Sequence, residues 1–226
     1  MPPKTKFTKE EIVNASLGIA SKYGINEIKA REVGKALGCS SRPIFTFFED
    51  MESLKKETTK KAFDLFYSYL KIADGYTPSF KMRGMQMIRF AKDEPRLFEM
   101  LFMTHESPKP FDVFIKERMT GYETDIKGIT SAYGITREEA EHIFGQLWIH
   151  AYGICVICVT GGCNITEKDY VRMLGRTFEG EMLLVKSASN GISGFAPVPN
   201  GSDDAAFLSK PFTEIGDCKS QVRDGL

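Results

Sequence analysis

Helix start and stop signals recur along the chain as far as residue 189, and this regularity is the feature that most constrains the fold. Thr8 and Glu11 form a Thr-x-x-Glu capping box, and so do Thr136 and Glu139. In such a box the hydroxyl and the carboxylate each satisfy a free backbone N–H at a helix N-terminus. No pair of alternating apolar segments flanks a two-residue turn, as a β-hairpin requires. The sequence therefore predicts an all-α protein.

Apolar residues at helical spacing, together with caps and glycine stops, predict where the helices lie. They are expected at 8–23, 29–37, a short segment capped by Ser40, 51–73, 80–92, 95–103, 111–133, 136–160 and 166–189. The predicted inward face comprises Ile12, Ala15, Ser16, Ile19, Ala20 and Tyr23 in the first helix, and Leu54, Thr58, Ala62, Leu65, Tyr69 and Ile72 in the fourth. Gly, Pro, Ser and Asp dominate residues 190–226, which predicts a mostly disordered tail.

Charge and cysteine content exclude some classes of protein. Thirty basic and thirty acidic side chains give no net charge, which argues against a protein that coats nucleic acid by bulk charge. Residues 1–61 nevertheless hold 12 basic and 8 acidic side chains, so positive charge is concentrated at the N-terminus. Five cysteines do not form the even set of a disulfide framework, and residues 1–11 contain no apolar signal segment. These features favour a cytoplasmic protein.

The nearly uncharged run 143–163 has the length of a membrane span. It contains Gln146, His150 and four glycines and lacks flanking basic clusters. We therefore interpret it as a buried interface helix and predict no membrane association.

The first three predicted helices are short, and the turn 37–39 between the second and third is typical of a helix-turn-helix. The second helix of such a pair enters the major groove of DNA. Its N-terminal side chains here are Ser40, Ser41, Arg42, Phe45 and Thr46. Of these, Arg42 alone can bind guanine through two hydrogen bonds. Spacing and charge also fit an alternative, a three-helix subdomain with a solvated basic rim.

Residues 28–54, IKAREVGKALGCSSRPIFTFFEDMESL, closely resemble the DNA-binding signature of the TetR family of bacterial transcriptional regulators. The match begins at Thr8. The resemblance implies that Lys29 and Arg31 contact the DNA backbone. It also implies that the start of the recognition helix is held by Ser41, Arg42 and Pro43.

Two positions depart from the pattern of the family. Phe45 stands where the family usually has a Tyr that packs against phosphate, and it lacks the hydroxyl. Met51 replaces a Lys or Arg at the start of the long helix, which transfers that phosphate contact to Lys55. Phe47 takes the usual His or Tyr position, and Phe48 the usual core Phe.

The resemblance implies a DNA-binding domain over 1–53, joined by a long helix to a helical ligand-binding and dimerisation domain over 54–189. The segment Trp148-Ile-His-Ala-Tyr-Gly153 is similar to a Trp-x-x-x-His-Gly segment of some family members, with Tyr152 in the His place. In the family, the last two helices pack against the same pair in a second subunit. A homodimer is thus expected, with an inverted-repeat operator in double-stranded DNA.

Phe, Met and Tyr are abundant between residues 63 and 122. Such side chains build the core, and they also line adaptable apolar cavities. In the resembling family, a cavity in this domain binds the inducer. The predicted ligand contacts are Met85, Arg89, Phe102, His105, Tyr122, Trp148 and Tyr152. The expected function is that of a repressor, released from its operator by a small apolar or aromatic molecule.

Other kinds of chemistry have little support. The sequence contains no Gly-x-Ser-x-Gly, no His-Glu-x-x-His and no phosphate-binding loop, so we predict no catalytic residue and no cofactor. Cys155 and Cys158, like His142 and His150, share a helix face, but they are interpreted as core or interface residues rather than metal ligands. A purely structural helical adaptor would keep the helices without needing the Ser-Arg-Pro turn at 41–43.

Overall fold

The computed structural model describes residues 7–104 and 107–189, which contain ten α-helices and no strand. The helices are α1 Lys9–Tyr23, α2 Ala30–Ala36, α3 Ile44–Phe47, α4 Met51–Lys71, α5 Ser79–Asp93, α6 Pro95–Phe102, α7 Phe111–Arg118, α8 Tyr122–Tyr133, α9 Arg137–Val159 and α10 Glu167–Ser189. The prediction of an all-α fold is confirmed. The tail predicted for 190–226 lies outside the described residues.

The chain divides into two compact units, residues 1–183 and residues 184–226. The first unit holds α1 to α9 and most of α10, and every candidate site described below lies in it. The domain boundary expected after residue 53 stays a prediction.

Side-chain caps begin the longer helices where the sequence places them. The Thr8 hydroxyl accepts from the Glu11 N–H at 3.2 Å, and the Glu11 carboxylate accepts from the Thr8 N–H at 2.7 Å. Thr136 caps α9 in the same way, and Asp50 caps α4. Since each cap joins residues three apart, local sequence is sufficient to determine it.

α1 packs against α4 through an apolar face that differs from the predicted one at its end. Tyr23 was expected inside, but it is 59% exposed, and the ammonium of Lys22 lies over its ring. Tyr23 is the last residue of α1, so its ring extends toward solvent beyond the packed turns. Val13 is buried instead.

The buried stripe of α4 also differs from the predicted one in its second half. Phe66, Leu70 and Ala73 are buried in place of Leu65, Tyr69 and Ile72. A row of residues spaced by four drifts around a helix by about 40° per step. The drift matches the change of neighbours, because α4 contacts α1 with its first half and both α5 and α6 with its second.

The single helix predicted for 111–133 is wrong, because the chain breaks between α7 and α8. Gly121 has φ of +82°, a left-handed conformation that favours glycine. A Cβ atom there would lie 2.6 Å from an Nη atom of Arg83. Glycine at the break therefore permits a close approach to Arg83 of α5, which helical periodicity does not reveal.

α5 lies at the centre of the first unit and packs against α4, α6, α8 and α9. Phe66, Phe90 and Phe102 form an aromatic cluster beside it, with ring centroids 5.0 and 5.2 Å from Phe66. α9 is the one described helix with the length and apolar composition of a membrane span. Its inward side chains, Ile143 and Trp148 among them, are buried within the protein.

Candidate DNA-binding surface and internal cavity

The turn between α2 and α3 brings two backbone segments into close contact. The Cys39 N–H donates to the Gly34 carbonyl at 2.9 Å, and Gly38 has φ of +67°. A Cβ atom on Gly34 would lie 3.0 Å from the carbonyl oxygen of Cys39 and 3.0 Å from the carbonyl carbon of Ser40. Only glycine therefore lets α2 approach the turn this closely.

We expect Gly34→Ala to lower the free energy of unfolding by about 1–3 kcal/mol, since the added methyl group would lie 3.0 Å from backbone atoms, which would have to shift. Gly18→Ala is the matched control, because Gly18 is an exposed residue of α1 with nothing within 4 Å of an added Cβ. The control is expected to gain about 0.5–1 kcal/mol from helix propensity. Urea denaturation measures both. Equal stabilisation by the two substitutions would contradict the close contact.

The predicted recognition helix is shorter than expected. α3 begins at Ile44, and the Ile44 N–H donates to the Ser41 carbonyl at 3.2 Å. Ser40 does not cap it, so that prediction is wrong: its side chain is exposed, and the helix begins after Pro43 without a side-chain cap. Arg42, which was expected in the first turn of the recognition helix, therefore lies in the turn that precedes α3.

α3 presents an exposed surface and is anchored by a buried one. Ile44 and Phe48 are buried, as expected from their spacing of one turn. The exposed residues of the predicted set are Lys29, Arg31, Ser40, Arg42, Phe45 and Thr46, and the partly buried ones are Ser41, Pro43, Phe47 and Lys55. Phe45 is 51% exposed. We call the exposed residues of segment 40–46, namely Ser40, Arg42, Phe45 and Thr46, the recognition surface.

The basic residues around the recognition surface fall into two groups. Lys29 pairs with Glu27 at 2.9 Å, and Lys55 pairs with Glu52 at 2.7 Å. The others, Arg31, Lys35, Arg42 and Lys56, form no ion pair within the part of the chain that the structure describes. Sequence reasoning missed Lys35, whereas it placed Lys56 beside Lys55 among the cations that would meet phosphates. Glu52 has a lysine at both i+3 and i+4, so only the side-chain geometry shows which one it pairs with.

Residues of α5, α9 and α10, together with Met119, line a partly open cavity of about 180 Å³. Its lining is mainly apolar and comprises Phe80, Lys81, Arg83, Gly84, Met85, Met87, Met119, Phe144, Leu147, Trp148, Ala151, Val171, Leu174, Gly175 and Phe178. Lys81 and Arg83 carry the only charges among these residues, and no carboxylate is included. We call this space the cavity.

Two residues of the predicted ligand set, Met85 and Trp148, line the cavity. Arg89 lies on the surface and pairs with Asp93 at 3.7 Å. Tyr152 does not line the cavity but packs against a residue that does: its ring stacks on Trp148, and its hydroxyl donates to the Phe102 carbonyl at 2.9 Å.

Phe102 belongs to the aromatic cluster, and Tyr122 packs edge-on against Phe144 outside the lining. Burial raises the pKa of the Tyr122 phenol to about 12, and the nearby Glu141 carboxylate contributes. His105 lies outside the described residues. The sequence prediction did not include Leu174 and Phe178 of α10, which also line the cavity, because they lie far along the chain from the Met- and aromatic-rich residues 63–122.

Arg83 connects the cavity wall to two other helices. Its guanidinium pairs with the Asp125 carboxylate of α8, pairs with Asp74 at 2.8 Å and donates to the Leu70 carbonyl at 3.3 Å. Burial raises the pKa of the Asp125 carboxyl, while the hydrogen bond from Ser79 and the charge of Arg83 oppose that rise. Leu70 and Asp74 lie at the C-terminal end of α4 and just beyond it. One side chain thus touches the cavity, α4 and α8.

The cysteines and histidines of α9 do not converge on a metal site. Among the described residues, no three His, Cys, Asp or Glu side chains are grouped as metal ligands would be. Burial raises the pKa of the Cys155 and Cys158 thiols, which disfavours the reactive thiolate. His150 lies 3.0 Å from the Thr177 hydroxyl, and His142 lies 3.5 Å from the Glu181 carboxylate.

Comparisons with known proteins bear on the fold. No family model and no curated protein matches the chain. Among solved structures, a TetR-like transcriptional regulator from Rhodococcus sp. RHA1 is similar, with a TM-score of 0.50 and 12% identity over 81% of this chain and 96% of that one. A second transcriptional regulator from the same organism has a TM-score of 0.49 and 14% identity, over 80% and 97% of the two chains. The chain has the fold of a TetR-like transcriptional regulator.

Proposed function

We propose that this protein is a TetR-family transcriptional regulator that binds operator DNA through the recognition surface. The observation that carries the proposal is the exposure of Arg42, Phe45 and Thr46 on a helix-turn-helix whose α3 is anchored by buried Ile44 and Phe48. Exposed cations without ion pairs lie on the neighbouring helices, where they would meet phosphates. A structural adaptor has no need of this arrangement, and neither does an enzyme.

The protein acts as a cytoplasmic homodimer. The exposed side of α9 carries Gln146, Ile149, Gly153 and Ile157 at helical spacing, with no charge among them. Ile149 is 49% exposed and Ile157 is 39% exposed. An uncharged helix face of this kind suits a two-fold interface, in which the same patch of each subunit meets its copy. Two subunits then present two recognition surfaces to successive major grooves of an inverted repeat.

The regulator is a repressor that a small molecule in the cavity releases from DNA. A ligand shifts a conformational equilibrium only if it binds one conformation more tightly than the other. Arg83 supplies the physical connection, because it lines the cavity and holds the end of α4 through Leu70 and Asp74. α4 in turn follows directly on the helix-turn-helix. A ligand that moves Arg83 therefore alters how α4 positions the recognition surface.

The DNA contact is tested with Arg42→Ala. If Arg42 binds a guanine edge, we expect the substitution to cost about 1–3 kcal/mol of operator binding and to relax the preference at one base pair per half-site. If Arg42 contacts only phosphate, affinity falls equally for all sequences, and the salt dependence decreases by about one unit per contact. The measurement is a titration of two kinds of DNA duplex at several salt concentrations: duplexes selected by binding from a random pool, and scrambled versions of them.

Two further substitutions serve as comparisons. Lys56→Ala, at an exposed lysine without an ion pair, is expected to show the phosphate pattern. Lys92→Ala is the control, because the Lys92 ammonium donates to the Ile165 carbonyl and lies outside the recognition surface. Normal affinity and normal selectivity in the Arg42→Ala protein would remove the recognition surface from the proposal.

A further inference from the structure

A single cation without an ion pair lies at the edge of the cavity. The Lys81 ammonium lies 4.1 Å from the centroid of the Phe178 ring and 5.9 Å from those of Phe80 and Tyr133. These rings also pack against one another, with centroids 5.0 to 6.5 Å apart. Contact with ring faces holds an ammonium in place, but it does not neutralise the charge.

No carboxylate within the described residues forms an ion pair with Lys81. The other cation of the lining, Arg83, is already paired with Asp125 and Asp74. The cavity therefore has one charge to offer to a ligand, and that charge is positive. The Lys81 ammonium would repel a cationic ligand, and it already occupies the position over the aromatic rings where such a ligand would bind.

The apolar part of the cavity limits the size of the ligand. A volume of about 180 Å³ is slightly larger than the roughly 150 Å³ apolar cavity that binds benzene in another protein. It accommodates one aromatic ring or a short aliphatic chain. Trp148, which lines it, has an indole N–H that is buried and has no acceptor among the described residues. A buried donor without an acceptor is costly, so a ligand with an acceptor in reach of this N–H would gain affinity.

We propose that the cavity binds a small carboxylic acid, with an aromatic ring or short chain between α5, α9 and α10 and its carboxylate at Lys81. The inference rests on the proposed function only in taking the cavity as the effector site. It narrows the effector from an apolar molecule to an amphipathic anion. The Lys81 ammonium supplies charge attraction and a hydrogen bond, and the Met and aromatic side chains supply the apolar contact.

The test uses three compounds of nearly equal size: 3-phenylpropionate, 3-phenylpropan-1-ol and 3-phenylpropylamine. Isothermal titration calorimetry of the full chain, without DNA, gives the dissociation constants, and thermal shift gives an independent readout through mass action. We expect the carboxylate to bind about fivefold more tightly than the alcohol, which corresponds to a partly exposed ion pair, and the amine to bind weakest. The preference for the carboxylate should decrease at high salt.

Lys81→Met retains the apolar part of the side chain and removes the charge, and we expect it to bind the carboxylate no better than the alcohol. Lys127→Met, at an exposed lysine of α8 outside the lining, should keep the preference of the wild-type protein. Equal binding of acid and alcohol by the wild-type protein overturns the proposal. So does a preference that survives Lys81→Met, or the failure of all three compounds to bind. Operator binding is measured separately, so a failed ligand assay leaves the DNA-binding function standing.

Discussion

Replacing Arg83 by Met is expected to lower the free energy of unfolding by about 3–5 kcal/mol, because it leaves the Asp125 carboxylate buried without its partner. Asp125 is 1% exposed and Arg83 is 3% exposed, so water does not reach either charge and cannot take the place of the missing partner. Met has a length similar to the aliphatic part of Arg, so it fills most of the same space. The loss of stability therefore reflects the missing charge more than empty space left by a smaller side chain. Urea denaturation followed by circular dichroism measures it.

Two companion variants define the cause. Arg83→Met combined with Asp125→Leu removes both charges, and we expect it to recover most of the stability, since apolar residues of similar volume replace buried ion pairs at little cost. Arg89→Met is the matched control on the same helix. Its ion pair with Asp93 is exposed to water and is worth at most about 1 kcal/mol. If Arg83→Met is no more damaging than Arg89→Met, the buried network does not stabilise the fold.

Gly153→Arg is expected to convert the proposed dimer to a monomer and to reduce operator affinity by on the order of 100-fold or more. Both losses have one cause, because two linked recognition surfaces bind far more tightly than one. Gly153 lies between Ile149 and Ile157 on the exposed side of α9, and nothing lies within 4 Å of an added Cβ. The single subunit therefore tolerates Arg, whereas a two-fold interface would bury two like charges against each other.

Light scattering at micromolar concentration measures the change in mass, and titration of the selected operator measures the affinity. Gly18→Arg makes the same substitution at another exposed helical glycine and should leave the protein dimeric. Leu147 is unsuitable for this test, although it belongs to the same apolar run, because it lines the cavity. A wild-type protein that scatters light as a monomer, or a Gly153→Arg protein that remains dimeric, would disprove the assembly.

The residues that sequence reasoning placed correctly depend on interactions over short distances along the chain. The caps at Thr8, Asp50 and Thr136 join residues three apart, and Ile44 and Phe48 are separated by one turn. Such contacts form in an isolated helix or turn, so residue type and spacing are enough to predict them. The all-α fold follows from them, since the same signals repeat along most of the chain.

Ends and faces of helices were predicted less well, because tertiary neighbours decide them. The buried stripe of α4 turns toward Phe66 and Leu70 where α5 and α6 replace α1 as its neighbours. The break between α7 and α8 requires glycine at 121, because Arg83, 38 residues earlier, occupies the space where a Cβ would lie. Periodicity describes one helix at a time and carries no information about which helix packs against it.

The site chemistry divides in the same way. Local sequence was enough to predict the recognition surface, because the turn and the residues 40–46 are contiguous. Only the tertiary structure decided the cavity, where Lys81 of α5 and Phe178 of α10 meet although 97 residues separate them. It also decided that Arg83 is paired with Asp125 while Lys81 has no carboxylate partner in the described residues. The charge that a cavity offers to a ligand is what remains after such long-range pairing, and that pairing depends on helix packing rather than on spacing along the chain.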